Sequence, residues 1–290
     1  MQRSILAILA LCVTLSVLAQ APRPQIQTTK VDRTDGVYIF RNGSHQSIFI
    51  VTADGVIATD PVAYGRPTGG ADYIAEIRKV TSQPIKYLIY SHHDYDHVAG
   101  GKAFKDAGAT ILSHKQAKVR LESLKDPHTP LPDETMGDTK VIRLGGTILE
   151  LTYVGMNHSD STLVFRLPKE RLLFVVDVLP VGTFPGRGMI DFYPLEAEES
   201  IKQILAMEWD RLIPGHPGPG DRLGTKKDVE EQLTLLRDAS EAVKIAAREG
   251  KCWDGVEKEM KLPKYENMPG YANGLPFVLR RYCGLWGRGT

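Results

Sequence analysis

The run His92-His93-Asp94-Tyr95-Asp96-His97 packs three imidazoles and two carboxylates into six residues, directly after the near-continuous apolar stretch Ile85 to Tyr90. That stretch reads as a buried strand, and a buried strand needs packing on both faces. The polar run therefore emerges where a rigid sheet stops, and loops at strand ends are where a scaffold converges distant side chains. A polar surface loop does not explain this density of ligand-type residues; a metal site does. Imidazole and carboxylate together suit zinc, and also iron or manganese. In an extended segment His92, Asp94 and Asp96 alternate and aim the same way. His97 breaks the alternation and can turn toward a second ion.

Three more ligand-type residues also follow apolar strands. His158 follows the strand ending at Val154, Asp177 ends the run Leu172 to Val176, and His216 lies just beyond Leu212-Ile213. Other histidines take plainer readings: His45, His114 and His128 are expected at the surface or at caps. Tyr95 either packs or faces substrate, and Asp160 is expected to cap a turn. Tyr193, Tyr265 and Tyr271 are open candidates for a pocket wall.

The order of elements suggests an α/β (α+β) chain. Strands are expected at Gly36 to Phe40, Gln46 to Thr52 and Gly55 to Thr59, with a turn at Ala53-Asp54-Gly55. A helix at Ala71 to Val80 follows, then the strand from Ile85. A short helix near Lys102 to Asp106, a strand at Thr110 to Leu112 and a helix at Lys115 to Leu124 come next. Asp126 to Asp138 reads as a loop. Strands at Lys140 to Arg143, Thr147 to Val154, Leu163 to Leu167 and Arg171 to Val176 follow. A helix at Glu196 to Ala206, a strand at Arg211 to Ile213 and helices at Lys226 to Arg248 and Val256 to Met260 precede a Pro/Gly-rich tail. Two sets of strands, each followed by helices, predict two packed sheets with helices outside, a four-layer αββα sandwich. The 290 residues, 42% of them hydrophobic, suffice for one large enzyme core.

The N-terminus reads as a secretory signal over residues 1–21: Gln2-Arg3 is basic, Ser4 to Leu18 is apolar, and small residues close it at Ala19-Gln20-Ala21. The run is short for a membrane span and ends in Gln20, Pro22 and Pro24, so no stable membrane anchor is expected after cleavage. Cys12 follows Leu11 instead of a small residue, which argues against a lipid anchor. Residues 22–290 are expected to form a single domain, with 217–290 a helical C-terminal extension. The product is expected to be exported, periplasmic or secreted. Two cysteines then remain, Cys252 and Cys283, a candidate disulfide in an oxidising compartment. With a net charge of +1, neutral once Arg3 is removed, nucleic acid is not an expected partner and a small molecule is.

The run Ser91 to His97 resembles the H-x-H-x-D-H signature of the metallo-β-lactamase superfamily. Val154-Gly155-Met156-Asn157-His158-Ser159 resembles its second histidine motif, and Phe174-Val175-Val176-Asp177 the strand that delivers its bridging aspartate. Ile213-Pro214-Gly215-His216 resembles the final histidine motif. Val56-Ile57-Ala58-Thr59-Asp60-Pro61 resembles the early strand whose Asp supports the metal loop. The resemblance runs in order from about Gly36 to His216.

It implies the metallo-β-lactamase fold and two divalent ions, zinc by preference. His92, Asp94 and His158 would hold one ion, Asp96, His97 and His216 the other, and Asp177 would bridge them. It implies a metal-bound hydroxide as nucleophile, with Asp96 also orienting it as a catalytic residue, and Asp60 hydrogen-bonding the metal loop. His93 is expected to support the ligands from behind. The sequence departs from the pattern at Asp94, where the family has histidine, and at Gly100-Gly101, one residue later than usual. Asp94 adds charge and a harder oxygen, which admits iron or manganese. The implied function is a metallo-hydrolase of the glyoxalase II/lactonase-like branch, acting on a small ester, lactone, thioester or amide-like substrate. Asp177 resembles the bridging carboxylate of that branch more than the sites of true β-lactamases, so β-lactamase is the alternative. An iron-dependent oxidoreductase of sulfur compounds is the alternative from another class.

Overall fold

A computed structural model describes residues 25–253 and 255–289; the leader expected at 1–21, with Cys12, lies outside them. Seven strands form one sheet in chain order: β1 (Ile26–Lys30), β2 (Val37–Asn42), β3 (His45–Thr52), β4 (Gly55–Thr59), β5 (Ile85–Ile89), β6 (Thr110–His114) and β7 (Glu134–Met136). β1 to β4 pair antiparallel. From β4 to β7 every pairing is parallel. Parallel neighbours need crossovers. These are α1 (Gly69–Val80), then the single turn α2 (Tyr95–Val98) with α3 (Gly101–Asp106), then α4 (Lys115–Leu124).

The second sheet holds β8 (Thr139–Leu144), β9 (Thr147–Tyr153), β10 (Leu163–Leu167), β11 (Leu172–Val175) and β12 (Arg211–Pro214), in the order β12-β11-β10-β9-β8. α5 (Pro194–Ala206) crosses from β11 to its parallel neighbour β12. α6 (Lys226–Arg248), α7 (Val256–Glu259) and α8 (Tyr271–Arg288) follow.

The period of two along each strand sorts side chains into three cores. Ile48, Ile50, Ile57, Ile89 and Leu112 of the first sheet meet Leu149, Leu151, Phe165, Phe174 and Ile213 of the second between the sheets. The neighbours Phe49, Val56, Ala58, Leu88 and Ile111 face outward onto Tyr73 and Ile77 of α1, Phe104 and Leu121. On the far side Val164, Leu173, Val175 and Leu212 pack under α5, α6 and α8 through Ile201, Leu235, Val278 and Tyr282. Layers of helix, sheet, sheet and helix result, the αββα sandwich expected from the sequence.

Besides β1 and the helical turn α2, which the sequence reading does not contain, two stretches differ from it. The stretch read as a loop contains β7, three residues that pair with β6. The Pro/Gly-rich tail, for which no individual helix was expected within the helical C-terminal extension, contains α8, which keeps Pro276 inside it. Gly274 and Pro276 disguise a helical stripe, Leu275, Val278, Leu279 and Tyr282, which is fully packed against the outer core. Tertiary burial here overrides poor local propensity. Cys252 and Cys283 are joined as a disulfide, tying the end of the α6 region to α8. Among the described residues no helix is long and apolar enough to cross a membrane.

Candidate metal centre

Both sheets end on the same side of the sandwich, and the ligand-type residues lie at those ends. Asp60, directly after β4, is fully buried and accepts a hydrogen bond from the Ser91 amide (2.7 Å), pinning the start of the polar run. The Val62 and Ala63 amides donate to the carbonyls of His97 (2.8 Å) and Ala99 (3.1 Å) and hold its end. Between them the run is not extended throughout. Asp94 has strand-like backbone, but Tyr95–Val98 is a helical turn. The expected alternation of His92, Asp94 and Asp96 therefore fails. The turn rotates Asp96 and His97 away from His92 and Asp94, toward a second cluster.

The first cluster is His92, Asp94 and His158. Asp94 Oδ2 lies 2.9 Å from His158 Nε2 and 3.4 Å from His92 Nε2. The second cluster is His45, Asp96, His97 and His216. His97 Nε2 and His216 Nε2 face each other at 3.3 Å, and Asp96 Oδ2 is 3.8 and 3.9 Å from them. Asp177 stands between the clusters. Its Oδ2 is 3.1 Å from His97 Nε2 and 3.8 Å from the Nε2 atoms of both His92 and His158, and its Oδ1 is 3.2 Å from His216 Nε2. Asp177 reaches this point with φ of 60°, a left-handed conformation strained for a residue with a side chain.

These spacings suit a cation at each centre. Four donors about 2.0–2.1 Å from a tetrahedral ion stand roughly 3.3–3.4 Å from one another. Hydrogen bonding alone leaves His92 Nε2 buried with no partner. The outward ring nitrogens are held as ligand orientation requires. His158 Nδ1 donates to the Gly188 carbonyl (3.3 Å) and His216 Nδ1 to the Ser44 carbonyl (2.8 Å). His92 Nδ1 lies 2.8 Å from Ser91 Oγ, and His97 Nδ1 faces Asp60 Oδ2 at 3.8 Å. Electrostatics follow the same plan. Burial opposes charge on Asp94, yet the charge of His92 and the His158 hydrogen bond hold it well below the usual carboxylate range. Burial likewise opposes charge on His158, but the Asp94 hydrogen bond and Asp177 push its pKa up to about 10.

Residues 41–220, from β2 to just beyond His216, match the family described as the metallo-beta-lactamase superfamily. The chain belongs to this superfamily. Its members hold one or two divalent metals, typically zinc, and are generally hydrolytic enzymes. Over 183 residues the chain is 26% identical to the 2,4-dinitroanisole O-demethylase subunit alpha of a Nocardioides species, covering 62% of this chain and 55% of the relative. Over 263 residues it is 24% identical to a linear primary-alkylsulfatase of a Pseudomonas species, covering 73% and 48%. The chain thus spans about half the length of these curated relatives. Among solved structures, a metallo-beta-lactamase from Pontibacter korlensis superposes with a TM-score of 0.65 at 19% identity, covering 74% of this chain and 100% of that one. At that identity the likeness speaks for the fold alone.

Within the metallo-beta-lactamase scaffold, His93 supports Asp94 directly. Its Nε2 is 3.4 Å from Asp94 Oδ1, and its Nδ1 is 2.9 Å from Ser161 Oγ. Asp160, expected to cap a turn, instead binds Arg120 through both Nε (3.0 Å) and Nη2 (2.5 Å) and faces His93 Nδ1 at 3.9 Å. His45 corrects the sequence reading more sharply. Taken there for a surface residue, it stands 3.2 Å from Asp96 Oδ2 inside the second cluster. Its neighbours in sequence carry no motif, so no local signal marks it. His114 does cap, accepting from the Gln116 amide at the start of α4 while its ring stacks on Tyr153. His128 is exposed.

The clusters form the floor of a cleft of about 690 Å³. Its walls come from the segment 178–192 after Asp177, from Tyr64, and from Leu236 of α6. They are mostly apolar: Val178, Leu179, Phe184, Met189, Ile190 and Phe192, with Arg187 as a cation. None of Tyr193, Tyr265 and Tyr271 is part of this wall. Tyr265 is buried in the outer core and donates to Asp238 (2.6 Å), and Tyr271 accepts from the Leu262 amide (2.8 Å).

Proposed function

We propose that this chain hydrolyses a small, largely apolar ester, lactone, thioester or amide-like substrate, with two divalent ions, zinc by preference, at the paired clusters. The observation that carries the reading is the position of both clusters, joined by Asp177, at the bottom of an apolar cleft sized for a small molecule. His92, Asp94 and His158 would hold one ion; Asp96, His97 and His216 the other. When bound, the ions supply Lewis acidity and make water a competent nucleophile at neutral pH. Asp177 holds the two centres at one separation. Asp96 turns Oδ2 to the cluster, which leaves Oδ1 to accept a proton from the attacking water. The apolar walls orient an apolar group along segment 178–192. Export would place this chemistry outside the cytoplasm.

A panel of aryl and alkyl esters, lactones, thioesters, a β-lactam, an alkyl sulfate and an aryl methyl ether tests the reading, with metal analysis of the same preparation. The expected result is ester or lactone turnover that rises with acyl length and is lost on chelation. Turnover that survives full metal removal overturns it. Asp94 favours one second reading, because two histidines and one carboxylate form the donor set of non-haem iron sites. Purified protein carrying iron and consuming oxygen with a sulfur compound would establish that reading instead.

A further inference from the structure

We infer that His45 is a third imidazole ligand of the second ion, so that the two centres are unlike in donor chemistry: one carboxylate-bearing and hard, the other rich in imidazole. The inference rests on the paired-metal reading above and extends it to a residue outside the superfamily motifs.

His45 is oriented as the four motif histidines are. Its Nε2 points into the cluster, and its Nδ1 points outward to Ser44 Oγ at 3.2 Å. All donors of the second cluster lie within 4.8 Å of one another, His45 included. The three rings splay about a common point: His45 meets His216 at 4.5 Å and 60°, His45 meets His97 at 5.5 Å and 64°, and His97 meets His216 at 5.1 Å and 89°. Stacked rings cannot aim their Nε2 atoms at one centre; splayed rings can.

The backbone holds this arrangement in place. The chain around His45 is stitched to the loop that carries His216. The Gln46 amide donates to the Gly215 carbonyl (2.8 Å), the buried Gln46 side chain donates to the Pro214 carbonyl (2.7 Å), and His216 Nδ1 donates to the Ser44 carbonyl (2.8 Å). Three bonds across two strand ends place the two imidazoles side by side. A residue serving only as a surface polar group needs no such clamp.

The donor sets then differ. Two imidazoles and Asp94 at the first centre suit manganese or iron as well as zinc, whereas three imidazoles and Asp96 at the second favour zinc or cobalt. Cobalt(II) added to the chelator-treated full chain tests this. In the wild-type protein, proton NMR of the two-cobalt form should show hyperfine-shifted Nδ1–H signals from five coordinated imidazoles; four signals would overturn the inference. His45→Ala and His45→Gln should both change the visible d–d absorption of the cobalt held at the second cluster, the equivalent that fills first. Each should also weaken that equivalent by more than the ~100-fold that loss of an outer hydrogen-bond partner produces, with the cobalt at the first cluster unchanged. A spectrum of the second-cluster cobalt identical to wild type in a folded variant would overturn the inference. If the wild-type chain takes up no cobalt, the metal reading itself fails, and that outcome is separate from both.

Discussion

His92, Asp94 and His158 crowd one carboxylate between two imidazoles, while His45, His97 and His216 surround Asp96 with three. The first group draws on the polar run after β5 and on the loop after β9; the second adds the ends of β3 and β12. Asp177 belongs to both. The difference shows how one scaffold presents two charge environments within a few ångströms. At the first cluster, Asp94 is engaged on both oxygens, by His158 and His92 on one side and His93 on the other. It is thereby held as a fixed anion. At the second, Asp96 shares its charge with a larger set of rings, all of them facing Oδ2. An anionic, oxygen-bearing centre beside an imidazole-rich one favours hard and borderline ions respectively.

The shared residue Asp177 ties the two clusters together, so its loss reaches both. Asp177→Ala should lower metal content at both centres together and reduce kcat/KM by more than ~10³-fold, because a ligand common to two ions is lost. Loss at one centre alone, measured by metal stoichiometry after dialysis, would show that Asp177 does not bridge. A smaller change makes the two clusters alike. Asp94→His should shift the first centre's preference from manganese or iron toward zinc by on the order of tenfold, leaving the second centre as it is. Competition titrations with paired metals read this directly.

The smallest effect is in pH. In the metal-free protein, burial lowers and the Asp94 hydrogen bond raises the pKa of His158, to about 10 from 6.5. Burial likewise opposes Asp177 at His216, where the result is about 9. A histidine with a raised folded-state pKa contributes stability that is full below its unfolded value and lost as pH rises through the folded one. The metal-free fold should therefore lose thermal stability between about pH 7 and pH 10. Coordinated imidazoles have already given up that proton, so the metal-loaded protein should be flatter over the same window. Parallel melting profiles with and without chelator check it; equal slopes would mean that the clusters are not poised as proton-holding pairs.

Much of this site is legible in the linear chain because its residues sit where apolar runs stop. Ile85 to Tyr90 announces a strand, and His92 to His97 follows at once; His158, Asp177 and His216 repeat the pattern. Less was legible about direction. The extended-segment reading of the polar run failed because the capping geometry of Asp94 starts a helical turn at Tyr95. His93 and Asp160 carried no sign of their partners, since Ser161 and Arg120 lie 68 and 40 residues away along the chain. α8 was hidden by Gly274 and Pro276, although its stripe of Leu275, Val278, Leu279 and Tyr282 is regular.

The layers and the presence of a metal-binding site are written in the linear chain. Hydrophobic period sets which faces are buried, and dense imidazole and carboxylate at strand ends admits few uses other than holding metal. The fold adds what the motifs do not carry: the helical turn at Tyr95 that swings Asp96 and His97 to the second cluster, and His45 beside partners 51 and 171 positions away. The reason is physical. A ligand set is defined by convergence in space, and convergence is fixed by the start of β3 lying beside the end of β12, clamped through Gln46, which no local pattern in the chain encodes.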